Sequence, residues 1–301
     1  MSLDAVVLNW NGGEDTLRAL ESLGAIEAIC VDNGSTDGSD AEVERRFPGV
    51  ELIRTGANLG FAGGNNVGIR RALERGADWV LLLNQDAVAG DGLADALERA
   101  AAARPDAGLL ACTIYLEDDV LQYAGASFNA LLGYSGRGSY GRRGAPAGGL
   151  RDVGRADGAA MAVSRAAVER AGLLDEELFL YVEDVEWSLR IRAAGLAVVL
   201  VPDAKVWHRG SGSTGGSAST ANLYYDTRNT LVVCERHRPL PLGLRALRRG
   251  VVVGAHLAQA ARHPAPRAAT GAVVAGWRDF RAGRLGARGT PARAPGPSEP
   301  S

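Results

Sequence analysis

Three short stretches of this chain carry side chains whose types and spacing could do chemistry. Residues 79–86 read W-V-L-L-L-N-Q-D, five apolar residues followed by Asn84, Gln85 and Asp86. A carboxylate held at the end of a buried strand suits a hard divalent cation that also bridges to a phosphate; the alternative is that Asp86 only opens a turn. Residues 181–190, Y-V-E-D-V-E-W-S-L-R, set Glu183, Asp184 and Glu186 among apolar neighbours. A carboxylate at the edge of such a pocket can serve as a general base, although acids at a helix start are also what the helix dipole favours. His208 stands between Trp207 and a Gly-Ser-rich segment. Imidazole is a common metal ligand, so His208 and Asp86 could share one cation if the chain folds over that edge. A lone histidine is otherwise structural.

Two more apolar runs end in polar clusters, Asn9-Trp10-Asn11 and Asp32-Asn33-Gly34-Ser35. Asp32 can accept a hydrogen bond from a ring imide such as that of uracil or thymine, and Trp10 offers an apolar face to a base. Residues 58–66, N-L-G-F-A-G-G-N-N, form a glycine-rich entry to a helix. Glycines such as Gly60 let backbone N–H groups approach a ligand, and a helix N-terminus favours anions; Asn58, Asn65 and Asn66 add polar side chains there. The glycines could equally serve tight packing. Residues 210–215 fit G-x-G-x-x-G in form. No second parallel strand follows to complete a βαβ unit, so a phosphate-binding or lid loop is the more economical reading.

The elements that must position these groups follow from periodicity. Strands are predicted over 3–9, 26–31, 50–54 and 78–83, with helices over 14–23, up to about 47 with Thr36 or Asp37 as cap, and 61–75. This alternation predicts an α/β fold with a mostly parallel sheet flanked by helices and right-handed crossovers. Its strand ends then converge on one edge, where ligands bind in open α/β sheets. Beyond it come a helix near 91–103, a strand near 108–115 and a glycine-rich stretch, 125–149, that reads as a hairpin or flap. Strand character returns over 153–163, followed by a helix over 164–171, an amphipathic helix over 180–194 closed by Gly195, and short strands over 196–201 and 205–208. Three helices follow, over 222–237, 242–263 and 268–282. The predicted division is a nucleotide-binding domain over 1–221, a C-terminal helical extension over 222–285 and a disordered tail over 286–301.

Composition narrows the class. The 301 residues are 46% apolar and 23% charged, with a formal net charge of −2. From Asn222 onward there are thirteen Arg, no Lys and four acids, a net of about +9, which leaves about −11 on the residues before it. A basic C-terminal surface suggests an anionic partner, a lipid surface or a phosphorylated acceptor; nothing resembles a nucleic-acid module. Leu244, Leu247, Val251 and Leu257 interleave with Arg245, Arg248 and Arg249, as in an interfacial helix or in a packed helix with a solvated basic face. Cys30, Cys112 and Cys234 are far apart and form no CxxC pair; they read as buried thiols of a reducing compartment. The chain opens directly on a strand, which predicts no signal peptide, and no apolar run reaches the ~18 residues of a membrane span. The expectation is a cytoplasmic protein, peripheral at the inner face of the membrane if its basic helices meet lipid.

In order and spacing, V-V-L-N-W-N-G, V-D-N-G-S-T-D, N-L-G-F-A-G-G-N-N-V-G, L-L-L-N-Q-D-A, G-A-A-M-A-V-S-R, L-Y-V-E-D-V-E-W-S-L-R, W-H-R-G-S-G-S and Y-Y-D-T-R-N resemble the inverting family-2 glycosyltransferases of GT-A fold, with a look of the bacterial rhamnosyltransferase-like members that build O-antigen and cell-wall glycans. The resemblance covers residues 3–231, about three quarters of the chain. It implies a sugar transferase that uses a dTDP- or UDP-sugar, dTDP-rhamnose among them, a glycan or lipid-linked acceptor, and Mg²⁺ or Mn²⁺. It implies that Asp32 reads the base, that Asn84-Gln85-Asp86 takes the place of the family's D-x-D with Asp86 as metal ligand, that Asp184 in the Glu183-Asp184 pair is the base, and that His208 is a second contact to cation or diphosphate. By the same resemblance, Asn9, Trp10, Asn58, Gly60, Asn66, Asn84 and Gln85 fall on the donor side. The departure is Asn84, where an acid is common; one charge fewer weakens the hold on a cation. Two alternatives compete. A nucleotidyltransferase would want a Gly-Arg-rich loop after the first strand, where this chain has W-N-G-G-E-D. A non-catalytic nucleotide-sugar or glycan-binding module is allowed by Asn84 and opposed by the intact Glu183-Asp184 pair.

Overall fold

The computed structural model describes residues 1–116, 119–136, 139–209 and 219–289. Its first half alternates as expected: β1 (Leu3–Asn9), α1 (Gly13–Ser22), β2 (Glu27–Asp32), α2 (Ser39–Arg46), β3 (Glu51–Arg54), α3 (Gly60–Glu74) and β4 (Trp79–Asn84). The apolar run of β4 is buried on both faces, with Val80 to Leu83 at most 2% exposed. Each such side chain contributes about 1.5–3 kcal/mol by leaving water. β1 pairs in parallel with β2 and β4, with Asn9 opposite Asp32 and Leu8 opposite Asn84. That register brings the three polar strand ends to one edge.

The second half reads β5 (Ala87–Ala89), α4 (Leu93–Ala103), β6 (Ala107–Tyr115), β7 (Leu121–Tyr123), β8 (Phe128–Asn129), β9 (Tyr134–Ser135), β10 (Arg151–Asp152), β11 (Ala160–Ser164), α5 (Arg165–Ala171), α6 (Glu183–Ala193) and β12 (Ala197–His208). The sheet runs β10-β12-β6-β11-β4-β1-β2-β3. It is mostly parallel, but β11 enters its middle antiparallel to both β4 and β6. Short β5 pairs with the end of β12 and sets His208 opposite Ala87. The glycine-rich stretch contains the β8–β9 hairpin.

Several local expectations need correction. The two strands expected over 196–208 are one, β12, with a register shift between Val201 and Lys205. Of the strand expected over 153–163, only Ala160–Ser164 forms. Gly38, at φ +81°, caps α2, while Asp37 accepts from the backbone N–H and hydroxyl of Ser39. The helix expected from residue 180 starts at Glu183, because Phe179, Tyr181 and Val182 sit at φ +64°, +65° and +71°. That left-handed region interrupts a helix and is strained for residues with a Cβ.

α7 (Thr220–His237), α8 (Leu242–Ala260) and α9 (Pro266–Arg281) follow. Leu223, Tyr224 and Tyr225 of α7 share a small core with Ala269, Ala272 and Val273 of α9. Val232 and Val233 of α7 pack with Leu178, Val182 and Val185 around the start of α6. Ser219 caps α7 with its hydroxyl. The basic face expected on α8 turns inward instead. Arg248 is buried, and Arg245, Arg248 and Arg249 all lie 3.0–3.2 Å from the Glu235 carboxylate of α7. The segment 210–218 and the tail from residue 290, expected as a lid loop and as disordered, lie outside the described residues.

Candidate active site

A cleft of about 970 Å³ opens over the sheet edge, within the size range of small-molecule sites. Trp10, Asp86, Asp157, Asp184 and His208 line it, and Asn222 and Tyr225 of α7 with His256 of α8 close one side. Asn58, Gly60, Asn84, Gln85 and Glu183 also face it, whereas Asn9, Asp32 and Asn66 are not part of its wall.

The buried polar groups at the strand ends brace one another. Asn9 donates to Asp32 (2.9 Å), Ser35 (3.1 Å) and Ser39 (2.8 Å), and accepts from the Thr16 hydroxyl (2.6 Å). Its hydrogen-bonding capacity therefore goes into the frame of the loop. Asp32 also accepts from the Ser35 N–H. Gln85 bonds both backbone groups of Trp10, at 2.6 and 3.2 Å, and so fixes that indole's backbone at the rim. Asn66 is spent elsewhere: it ties α3 to Leu174 and Glu176. The glycine-rich entry to α3 packs on protein. Asn58 accepts from the Gly60 N–H, Phe61 N–H goes to Phe179 O at 2.7 Å, and a Cβ on Gly60 would overlap Phe179.

Asp86 and His208 meet at the other rim. Asp86 Oδ1 lies 3.1 Å from His208 Nε2, His208 Nδ1 is 3.0 Å from Gln122 Oε1, and Asn84 Nδ2 is 3.5 Å from Nε2. The β5–β12 pairing produces this contact, and the Arg209 N–H to Asp86 O bond closes it. Burial disfavours a charged His208, but the hydrogen bond and charge of Asp86, with Asp157 behind, outweigh it and raise the imidazole above its usual range. An acceptor oxygen faces each ring nitrogen. One carboxylate and one imidazole also fit a divalent cation. Among the described residues no group of three His, Cys, Asp or Glu converges on one point, so such an ion would take its remaining ligands from a diphosphate and water, as Mg²⁺ commonly does.

The acids Glu183 and Asp184 of α6 line the same cleft. Glu183 is buried, and its Oε2 has no hydrogen-bond partner among the described residues. Burial, then the charge of Asp184, pushes its pKa well up. Asp184 accepts from Gly158 N–H (3.1 Å) and Val185 N–H (2.8 Å), and Arg155 Nη1 lies 3.5 Å from its Oδ2. Burial raises Asp184 too, with Arg155 opposing and Asp157 adding to the rise. The Arg155 guanidinium thus favours the charged form at Asp184, the member of the pair that it faces.

Arg155 and Asp157, 3.7 Å apart, were not singled out from the sequence. The available signal was a charged pair next to the quoted G-A-A-M-A-V-S-R run. The left-handed segment before α6 has its own clamp in the R-N of Y-Y-D-T-R-N. Asn229 directs its amide NH₂ at the carbonyls of Leu178, Leu180 and Tyr181 (2.7–2.9 Å). Fully buried Arg228 donates to Leu178 O (3.0 Å) and Gly286 O (2.7 Å). Satisfied carbonyls of this kind hold a strained backbone in place.

The sequence model of Glycosyl transferase family 2 matches residues 4–168, more than half of the chain. The chain belongs to that family. Among its relatives, an N-acetylglucosaminyl-diphospho-decaprenol L-rhamnosyltransferase of Mycobacterium tuberculosis is 30% identical over 262 residues, covering 78% of this chain and 85% of the relative. The dTDP-rhamnosyl transferase RfbF of Shigella flexneri is 27% identical over 225 residues, 68% of this chain and 69% of that one. The mannosyltransferase PcManGT of Pyrobaculum calidifontis, solved with GDP-Man and Mn²⁺, superposes with a TM-score of 0.58 at 16% identity, over 93% of this chain and 87% of that chain. The protein is thus a family-2 glycosyltransferase of GT-A fold. The family match stops before α6, so the Glu183-Asp184 pair lies beyond it.

Proposed function

We propose that this glycosyltransferase moves a hexosyl unit, with inversion, from a dTDP- or UDP-sugar to a lipid-linked glycan in cell-envelope polysaccharide synthesis. The observation that carries the reading is the geometry around Asp184, a carboxylate on the cleft wall with Arg155 Nη1 3.5 Å from its Oδ2 and the Gly158 and Val185 N–H groups on its oxygens. That carboxylate lines the same cleft as Asp86 and His208. The names of the two rhamnosyltransferase relatives support dTDP-rhamnose as the donor and a diphospho-polyprenol as the acceptor.

In this reading Asp184 takes the proton of an acceptor hydroxyl as that oxygen attacks the anomeric carbon. The new O–C bond forms as the bond from that carbon to the diphosphate breaks, and the diphosphate leaves with the electron pair. Trp10, held by Gln85, carries the base against its indole, while Asp32, behind the cleft wall, frames that loop through Asn9 and Ser35. Asp86 and His208 would hold the divalent cation, which when bound supplies positive charge to the leaving diphosphate. Residues 222–285 form the acceptor side, through Tyr225 and His256, and the enzyme works at the cytoplasmic face of the membrane.

The test is nucleoside diphosphate release from dTDP-, UDP- and GDP-sugars with Mg²⁺, Mn²⁺ or EDTA, in the presence of a polyprenyl-diphosphate glycan, beside Asp184→Asn. Release from one dTDP- or UDP-sugar, lost in the variant, is the expected result. Equal release by the variant would overturn the assignment of the base, and no release from any donor would overturn the function.

A further inference from the structure

α8 is amphipathic in the reverse of the usual sense. Its arginines and His256 turn inward, while every exposed position from Leu242 to Ala258 is Leu, Val, Ala or Gly. Leu244, Leu247 and Val251 are 55%, 65% and 46% exposed, and spacings of three and four put them in one stripe. The tip of the β8–β9 hairpin adds Leu131 and Leu132, 47% and 50% exposed. The two elements form one surface. Arg248 donates to Ala130 O, and Gly133 lies so close that a Cβ there would overlap Val252. Contiguous exposed apolar surface of this kind marks an interaction site in a soluble protein.

The stripe leads into the active site. Continuing by fours from Val251 reaches Ala255 and Gln259, and both line the cleft. From Leu247 to Ala255 is eight residues, about 12 Å along the helix. We propose that Leu131, Leu132, Leu244, Leu247 and Val251 are the surface by which this enzyme docks on a lipid bilayer, so that an acceptor anchored there presents its head group to the cleft along α8. The proposal deepens, and rests on, the reading of the acceptor as lipid-linked. Charge selects lipid over a second copy of the chain. Arg245 and Arg249 share the one Glu235 carboxylate yet keep 37% and 28% of their side chains exposed beside the patch, a surplus that an anionic leaflet would neutralise and that two facing copies would set against each other.

Binding of the full chain to phosphatidylglycerol–phosphatidylcholine vesicles, read by sedimentation without sugar nucleotide, tests this separately from turnover. The wild type is expected to sediment with the vesicles. Leu247→Glu, or Leu131→Glu with Leu132→Glu, should reduce the bound fraction about tenfold or more, with nucleoside diphosphate release onto a detergent-free, short-chain acceptor unchanged. Leu247→Trp should give an indole emission that shifts to the blue on vesicles. Wild-type partition by both Glu variants would overturn the proposal, as would a dimer in light scattering that Leu247→Glu dissolves while vesicles bind neither form. A protein that binds vesicles but transfers no sugar would refute the proposed function and leave the docking surface standing.

Discussion

Removing the Arg155 guanidinium while leaving Asp184 in place should move the acid side of the pH–rate profile upward. Arg155 Nη1 lies 3.5 Å from Asp184 Oδ2, and both side chains are mostly buried, at 14% and 16% exposure. At an effective dielectric of about 20, two unit charges at that distance attract by about 5 kcal/mol. Asp157 draws on the same guanidinium at 3.7 Å, so the share acting on Asp184 is smaller, in line with the one to three pK units that an adjacent opposite charge typically supplies. The sign follows from the charge state. Burial already raises Asp184, Arg155 opposes that rise, and a general base works only when ionised. Without the cation the carboxyl binds its proton more tightly, and kcat/KM should begin to fall at a pH about 1–3 units higher than in the wild type. The assay is nucleoside diphosphate release across pH 5–9 for wild type, Arg155→Met and Arg155→Lys. Lysine keeps the charge and should restore most of the acid limb, although it loses the bond to the Ser135 hydroxyl. A limb at the wild-type pH in Arg155→Met, with activity lowered evenly at every pH, would refute the idea that Arg155 sets the charge on the base.

Asp184→Asn should keep donor binding in calorimetry and lose about 10²–10⁴-fold in turnover, the usual contribution of a positioned proton acceptor. Asp86→Ala should weaken Mn²⁺-dependent donor binding by calorimetry while leaving metal-free binding near the wild-type value. Asn229→Ala strips the donors from three carbonyls; it should cost about 2–4 kcal/mol in denaturant unfolding and lower kcat more than it changes KM for the donor. Burial pushes Cys30 and Cys112 up to about 12 and Cys234 up to about 11, so the native protein should resist a thiol reagent near pH 8 and release three titratable thiols in denaturant.

What the sequence disclosed and what it withheld divide along physical lines. β4 was legible because five consecutive apolar residues fit only a strand buried on both faces, and the convergence of Asn9, Asp32 and Asn84 followed from a parallel register. Asp86 and His208 were suspected of meeting, yet their meeting depends on β5, a three-residue strand too short to show a period. The antiparallel entry of β11 was invisible, since its five apolar residues pair as well in either direction. Arg155 went unnoticed because an arginine in a loop is ordinary until the fold seats it against Asp184. The inward arginines of α8 show the limit most plainly. The spacing marked two faces correctly, but which face meets the protein depends on Glu235, held on the neighbouring helix.

The placement of β11 has a consequence for how the chain must be made. Leu83 finds its β11 neighbour only at Ala160, so β4 leaves the ribosome with one edge open. At about 5–20 residues per second, roughly 4–15 seconds of synthesis separate the two strands. During that time Leu81, Leu82 and Leu83 present an unpaired apolar edge to any other nascent chain, the condition that favours strand-to-strand aggregation. Slower initiation or a chaperone on the emerging chain should raise soluble yield, and a chain cut between β6 and β11 should precipitate, because only the later strand seals the sheet.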